Sequence, residues 1–465
     1  MGAARTRSLL AVLVAGALAA GGAAAVVLQD DPAQLPVAVA PSPTGPPVRE
    51  ALLEELAAGA PVPSGEGLRG AVEAALTDPA LGGRLAVSVL DAESGRPLLE
   101  LDPTRPLLPA STAKIVSAVA ALTALDPGTR LTTRVLAGAA PGEVVLVGGG
   151  DPTLAGSQAE PGYPELARLT DLAAAVRASL GPVVVTRVLV DESLYTGERL
   201  GPGWKPSYVT EGAVSPVGPL MVDGGRVRPD RSARHDDPAV AAGQALAALL
   251  QPGAAVAVER GTAPPAAAEL GAVQSPPVAR LVERMLSRSD NDLAEALVRQ
   301  VALAQGRPAS FAGGAEAVRE VLAPYLTSVG LEPDAVALVD GSGLSRDNLL
   351  QPAALTRLLA AVAADDGSPT AERLAPVLSG LPVAGFSGTL SDRYREGDGV
   401  PAAGSVRAKT GTLNGVSALA GLVRTADGRL LAFDLTADAV PFGATRAAEA
   451  ALDELAAALA RCGCR

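Results

Sequence analysis

The texture of this chain changes twice, and that constrains its fold more than any single residue does. Between about 130 and 272 short β-type runs, "TRLTTRVLAG", "GEVVLVGGGDPTL", "VTRVLVDESLY" and "GAAVAVERG", are split by Gly and Pro. A single helical pattern, "YPELARLTDLAAAVRASL", lies among them. Upstream, "REALLEELAAGA" has helical spacing. "RLAVSVLDAESGRPLLELDPTRPLLPAS" alternates apolar and polar residues about a Gly-containing turn, as a β-hairpin does. Downstream, "PPVARLVERMLSRSDNDLAEALVRQVA" and "GAEAVREVLAPYLTSVGL" are helical, "VRAKTGTLNGVSALAGLVRTADGRLLAFDLTAD" is a hairpin with "DG" at its second turn, and "GATRAAEAALDELAAALARC" is an amphipathic closing helix. One α/β domain interrupted by a guest accounts for this order. The host is expected over 49–130 and 273–465, with antiparallel strands flanked by helices, and a mostly β insertion over 131–272.

The 465 residues allow two or three domains, and with aromatics at 2% the core must be built from Ala, Val and Leu. A net charge of −12 argues against a nucleic-acid binder. Arg5 and Arg7 precede an apolar run from Leu9 to Leu28 with small residues after it, which predicts an export signal over 1–29. Twenty residues also just span a bilayer, so an uncleaved membrane anchor stays open. Six prolines between Asp30 and Val48 make 30–48 an extended linker. The expected location is outside the plasma membrane, secreted or anchored. The two cysteines, Cys462 and Cys464, are expected to form a loose tail pair, since a one-residue gap strains a bridge.

The chain holds 38 Lys plus Arg, yet only Lys114, Lys205 and Lys409 are lysine. Arg cannot give up its proton in a protein, whereas a desolvated Lys can. Two of these lysines fall in short motifs. Ser111-Thr112-Ala113-Lys114 comes first, Ser289-Asp290-Asn291 second and Lys409-Thr410-Gly411 third. Taken singly, each is also explained by a helix cap or a strand-end turn. Residues i and i+3 share a helix face, so the Ser111 hydroxyl and the Lys114 amine can meet.

A nucleophilic serine needs a base. The only histidine, His235, lies in the polar stretch "RPDRSARHDDP", which disfavours a Ser-His-Asp triad and His-rich metal sites alike. Lys114 is the remaining base, at a cost. With an ordinary pKa of about 10.4, only about one molecule in 2,500 is neutral at pH 7; lowering it by roughly 3 costs about 4 kcal/mol. Burial and a second cation both push in that direction, and Lys409 is the candidate cation. Thr410 and Thr412 offer hydroxyls to a terminal carboxylate, and Gly411 clears room for a substrate backbone. The N–H groups of Ser111 and Thr412 are candidates for an oxyanion hole. Ser289 can relay a proton to the leaving group, and Asn291 can hold a substrate amide or position Lys114.

With these residues in this order, the chain resembles the penicillin-recognising serine acyl enzymes. Within them it resembles the class C low-molecular-mass penicillin-binding proteins, the D-alanyl-D-alanine carboxypeptidase/endopeptidases, over about 50 to 460. "LVGGGDPTL", "VLVDESLYTGERLGPGW", "DGSGLSRDN" and "RAKTGTLNGVSALAG" look like family blocks. The resemblance implies a transpeptidase-like α/β domain with a largely β domain inserted between the first and second motifs. Here 178 positions separate Ser111 from Ser289. It implies Ser111 as acylated nucleophile, Lys114 as base, Ser289 and Asn291 as partners, and Lys409 as third-motif lysine. It implies peptidoglycan stem peptides as substrates, β-lactams as covalent inhibitors, and no metal or cofactor. The loop from Asp340 to Arg346 either lines the cleft through Asp340, Ser342 or Arg346 or is a Gly-built turn shaping it. Lys205 reads as a solvated loop lysine. A β-lactamase and a non-catalytic wall-binding or β-lactam-sensing protein are the competing readings.

Overall fold

The computed structural model describes residues 59–158, 164–364, 367–395 and 397–464. The leader, the proline-rich linker and nearly all of the helical pattern opening at Arg49 lie outside the described residues. The first helix, α1 (Gly65–Leu76), is capped by Ser64, whose hydroxyl accepts from the Gly67 N–H at 3.1 Å. The hairpin of β1 (Leu85–Asp91) and β2 (Pro97–Leu101) follows, then α2 (Ala113–Ala124). The insertion carries β3 (Thr132–Ala137), β4 (Glu143–Val147), α3 (Leu169–Leu180), β5 (Arg187–Asp191), α4 (Pro238–Leu250), β6 (Ala257–Arg260) and β7 (Glu269–Gln274). The chain returns through α5 (Val278–Arg288), α6 (Asn291–Ala304), α7 (Phe311–Ser328), the ribbon of β8 (Val336–Ala337) and β9 (Leu349–Leu350), α8 (Pro352–Ala363) and α9 (Pro369–Gly380). It ends in β10 (Val406–Leu413), β11 (Val416–Arg424), β12 (Leu430–Ala437) and α10 (Thr445–Arg461).

The last three strands pair with the first two in an antiparallel sheet of order β10-β11-β12-β1-β2. Side chains alternate along each strand, and both faces are covered. Leu419, Val423, Phe433 and Leu435 pack toward α1 and α10, while Ala420, Leu422 and Ala432 pack toward α2 and the helices around it. This is the α/β architecture predicted, an antiparallel sheet flanked by helices. Placing β10 at the sheet edge matters most for function, because an edge strand has free backbone groups.

The insertion differs from the mostly β module expected. Its sheet, of order β6-β5-β4-β3-β7, pairs β4 with β5 and β5 with β6 in parallel. Parallel neighbours need crossover connections, and α3 and α4 supply them. α4 was not anticipated because "PAVAAGQALAALL" is small and apolar almost throughout, with little polar face to mark its period. Its Gly243 lets the helix lie on the sheet: a Cβ there would come within 2.7 Å of Val190 and Val258 methyls. The single helical pattern read over 276–302 is also broken. Ser289 adopts a left-handed conformation (φ 54°, ψ 41°) and separates α5 from α6.

The C-terminal cysteines correct another expectation. Cys462 and Cys464 are joined as a disulfide, and the tail is docked rather than loose. Cys462 is buried in the α1–α10 core, and the Cys464 carbonyl accepts from Ser64 N–H at 2.8 Å.

A buried ion pair ties the strand ends of the host sheet. Arg429 donates from Nε and Nη2 to the two carboxylate oxygens of Asp91 at 2.6 and 2.7 Å. Removing one partner of such a pair strands the other. Asp91→Ala is expected to cost about 3–5 kcal/mol, read from urea unfolding; an unchanged midpoint would contradict this role.

Candidate active site

Ser111 lies in a single 3-10 turn, Ala110–Thr112, that runs directly into α2. Ala110 holds φ at 47°, a strained value for a residue with a Cβ. Lys114, in the first turn of α2, is fully buried, and its amine meets three oxygens. Nζ lies 2.9 Å from Ser111 Oγ, 2.6 Å from Asn291 Oδ1 and 2.6 Å from the Ser342 carbonyl. Burial pulls its pKa down to about 8, against the carboxylates of Asp340, Glu295, Asp290 and Asp292, which pull it up.

The second motif sits at the break between α5 and α6. Asp290 caps α6 by accepting from Leu293 N–H at 3.0 Å. Asn291, the first residue of the helix, accepts from Lys114 and donates from Nδ2 to the Ala213 carbonyl at 2.8 Å. The insertion therefore fixes the amide orientation of Asn291. Asp292 extends this joint. It accepts from Ser215 N–H at 2.7 Å and pairs with Arg234 at 3.2 Å, with both side chains buried. The half-buried Ser289 hydroxyl makes no hydrogen bond among the described residues, so no standing link to Lys114 exists.

Lys409 on β10 is also fully buried, and it donates to the Thr410 carbonyl at 2.8 Å. Burial first, and the charge of Lys114 second, hold its amine well below the ordinary lysine range. Burial is the first cause of the Lys114 shift, and the repulsion between the two amines, which acts on both, adds the contribution expected of Lys409. Gly411 has a further reason besides the one expected: a Cβ there would stand 2.8 Å from the Pro109 carbonyl oxygen. The glycine lets the strand edge close on the turn that carries Ser111.

Among the described residues, the outer edge of β10 is covered only at its start, where Ala408 N–H donates to the Pro382 carbonyl at 2.9 Å. The two-residue period puts the N–H groups of Thr410 and Thr412 on that same edge. This stretch is an open strand edge beside Ser111, suited to an extended peptide. The two threonine hydroxyls are not free. Thr410 Oγ1 is 2.9 Å from Thr389 Oγ1, and Thr412 Oγ1 donates to Glu449 at 2.8 Å.

The loop from Asp340 to Arg346 combines both roles weighed for it. Asp340 is buried and accepts from Gly343 N–H (2.8 Å), Ser345 N–H (2.7 Å), Asn348 Nδ2 (2.8 Å) and Trp204 Nε1 (2.7 Å). It builds the turn. Ser342 reaches the site through its carbonyl, not its hydroxyl. Gly343 (φ 82°) has the Ala110 carbonyl oxygen 1.9 Å from where its Cβ would be, so the loop and the Ser111 turn meet backbone to backbone. Arg346 is exposed and donates to the Asn414 carbonyl at 2.9 Å. Lys205 stays outside the cluster, its amine 5.9 Å from the centre of the Tyr208 ring. His235 lies in the insertion, where its backbone N–H donates to the Gly225 carbonyl at 2.9 Å.

Three contributors were missed in the sequence: Trp204, the Ala213 carbonyl and Glu295. Glu295 had a signal, because Asn291, Glu295 and Arg299 repeat at four-residue spacing along α6. The other two act through folding of the insertion against the host, which no local pattern encodes.

A buried amine against a serine, with a second buried lysine on an open strand edge, defines a serine acyl enzyme of the penicillin-recognising fold. A profile of the D-Ala-D-Ala carboxypeptidase 3 (S13) family matches residues 68–235 and 230–459. The chain is 42% identical to carboxypeptidase DacB of Mycolicibacterium smegmatis over 87% of its own length and 86% of that protein. It is 40% identical to a carboxypeptidase of Mycobacterium tuberculosis over 91% and 90% of the two chains. The fold matches penicillin-binding protein 4 of Haemophilus influenzae with a TM-score of 0.65 at 23% identity, covering 84% of this chain and 97% of that one. The chain belongs to the D-Ala-D-Ala carboxypeptidase S13 family: a serine peptidase and low-molecular-mass penicillin-binding protein.

The joint between Trp204 and Asp340 is testable. Trp204→Phe removes one donor from a buried carboxylate and is expected to cost about 1–3 kcal/mol. Chemical denaturation measures this; no loss of stability would contradict it.

Proposed function

We propose that the protein cleaves D-alanyl-D-alanine ends, or D-amino-acid cross-links, of peptidoglycan stem peptides through an acyl-enzyme on Ser111. One observation carries the roles: of the three oxygens around Lys114 Nζ, two are acceptors only, the Ser342 carbonyl and Asn291 Oδ1. A neutral amine has two N–H bonds and one lone pair. The two acceptors take the N–H bonds, and the lone pair faces the Ser111 hydroxyl. Ser111 Oγ then attacks the peptide carbonyl as its proton passes to Nζ. The developing oxyanion is met by the N–H groups of Ser111 and Thr412. The C–N bond breaks, and the departing amine takes a proton from Lys114 by way of the Ser289 hydroxyl. Water releases the acyl group by the reverse proton path.

The relatives named as carboxypeptidases support the substrate class. A second structure of the Haemophilus influenzae protein, TM-score 0.60, is a complex with a β-lactam, in line with β-lactams acylating Ser111 here. Lys409 and the edge of β10 at Thr410 and Thr412 are assigned to the substrate carboxylate and backbone, in keeping with the position of that edge beside Ser111. A substrate outside the plasma membrane agrees with the basic, then apolar, N-terminal segment, which we assign to export, with cleavage or retention as an anchor.

Incubation of the purified protein with muropeptides, read by mass spectrometry, tests the activity. Loss of one alanine residue means carboxypeptidase action, conversion of dimers to monomers means endopeptidase action, and neither product contradicts the reading. Fast turnover of a chromogenic cephalosporin in place of a long-lived adduct would instead favour a β-lactamase.

Two predictions follow from the roles. Ser111→Ala abolishes labelling by fluorescent penicillin, and Lys114→Arg slows it by about 10²–10⁴-fold, because arginine keeps its proton. The base must be neutral, so the acylation rate rises with pH and levels off above about 8, the Lys114 value. Labelling of Ser111→Ala, or a pH-independent rate, would contradict them.

A further inference from the structure

Glu295 lies one helical turn beyond Asn291 on α6, is fully buried, and touches neither Ser111 nor the strand edge where substrate would lie. Its Oε1 accepts from two successive backbone groups, Gly341 N–H at 3.0 Å and Ser342 N–H at 2.8 Å. Ser342 is the residue whose carbonyl accepts from Lys114. Its other oxygen, Oε2, faces Arg299 Nη1 at 3.3 Å, and that guanidinium lies 4.1 Å from the centre of the Phe311 ring. The carboxylate thus has two jobs in one place. It grips the turn by two charge-assisted hydrogen bonds, and it sets a negative charge one peptide away from the amine.

We infer that Glu295 is the positioning residue for the Lys114 base: by clamping the Gly341–Ser342 amides it aims the Ser342 carbonyl at the amine and so turns the lone pair toward Ser111. This rests on the reading of Lys114 as base. Asn291, the other acceptor, is anchored separately by the Ala213 carbonyl. The two acceptors are therefore held by different parts of the chain, and the amine is oriented only when both are in place. Among charged groups, Glu295, Asp340, Asp290 and Asp292 raise the Lys114 pKa, and Lys409 faces it from β10. Glu295 is itself pushed up to about 7 by burial and by Asp340, against Arg299. It therefore titrates on the lower part of the acylation limb and is mostly ionised at the upper end, near 8. Removing its charge lowers the Lys114 pKa and moves that limb to lower pH.

Two variants separate position from charge. Glu295→Asp keeps the charge but shortens the reach. Glu295→Gln keeps an acceptor oxygen but loses the charge and sets an amide against Arg299. Acylation by a fluorescent penicillin is followed across the pH limb and plateau, with folded fraction measured in parallel. Glu295→Asp is expected to lower the plateau by about tenfold to a hundredfold with the limb in place. Glu295→Gln is expected to lower the plateau and displace the limb to lower pH. Wild-type rates and limbs in both variants, or a loss that only tracks folded fraction with the limb unmoved in both, would overturn the inference. If the wild-type protein itself fails to label at Ser111, the base reading falls and this inference falls with it, an outcome distinct from failure of the variants alone.

Discussion

The structure is organised around one buried amine. Lys114 has no exposed surface and no carboxylate within hydrogen-bonding distance among the described residues; its neighbours are a hydroxyl, an amide oxygen and a backbone carbonyl. An ammonium loses its hydration in such a site without gaining an ion pair, so burial favours the neutral form. The surrounding acids act at longer range and temper the shift. The result is an amine with a pKa of about 8, low enough for the neutral form to be populated and the proton to be given up again, and high enough for that form to take a proton.

Each group around that amine comes from a different part of the fold. Ser111 comes from the strained turn before α2, Asn291 from the start of α6, and the Ser342 carbonyl from a loop built on Asp340. The insertion braces two of these. Ala213 orients Asn291, and Trp204 donates to Asp340. Residues 131–272 therefore belong to the mechanics of the site as well as to the shape of its approach. Strand β10 closes the cleft from the other side, and Gly411 lets it do so without a clash at Pro109.

Much of this was legible in the sequence. With lysine nearly eliminated from the chain, the positions of Lys114 and Lys409 identified themselves, and the order of the three motifs fixed the fold class. The hairpins and the closing helix followed from period and turn residues. The unread parts share a cause: they depend on backbone atoms or on long-range packing. A carbonyl has no letter of its own, so Ser342 and Ala213 were invisible as hydrogen-bond acceptors. The hydroxyls of Thr410 and Thr412 read as free, but Thr389 and Glu449 engage them from segments distant in sequence. The parallel strands of the insertion were missed because α4, made of small apolar residues, left no amphipathic signature. Lys409 was read as a cation near Lys114, but its own burial is as complete, so the mutual repulsion disfavours the charged form of both amines.

The central claim is that burial renders Lys114 a proton acceptor beside Ser111, and three lysines in the whole chain make it directly measurable. Carbon-13 labelling at the lysine ε position gives a spectrum that can be assigned by substitution and followed against pH. The account predicts a Lys114 resonance that titrates near 8. A Lys114 resonance titrating at the ordinary lysine value of about 10.4 would contradict it.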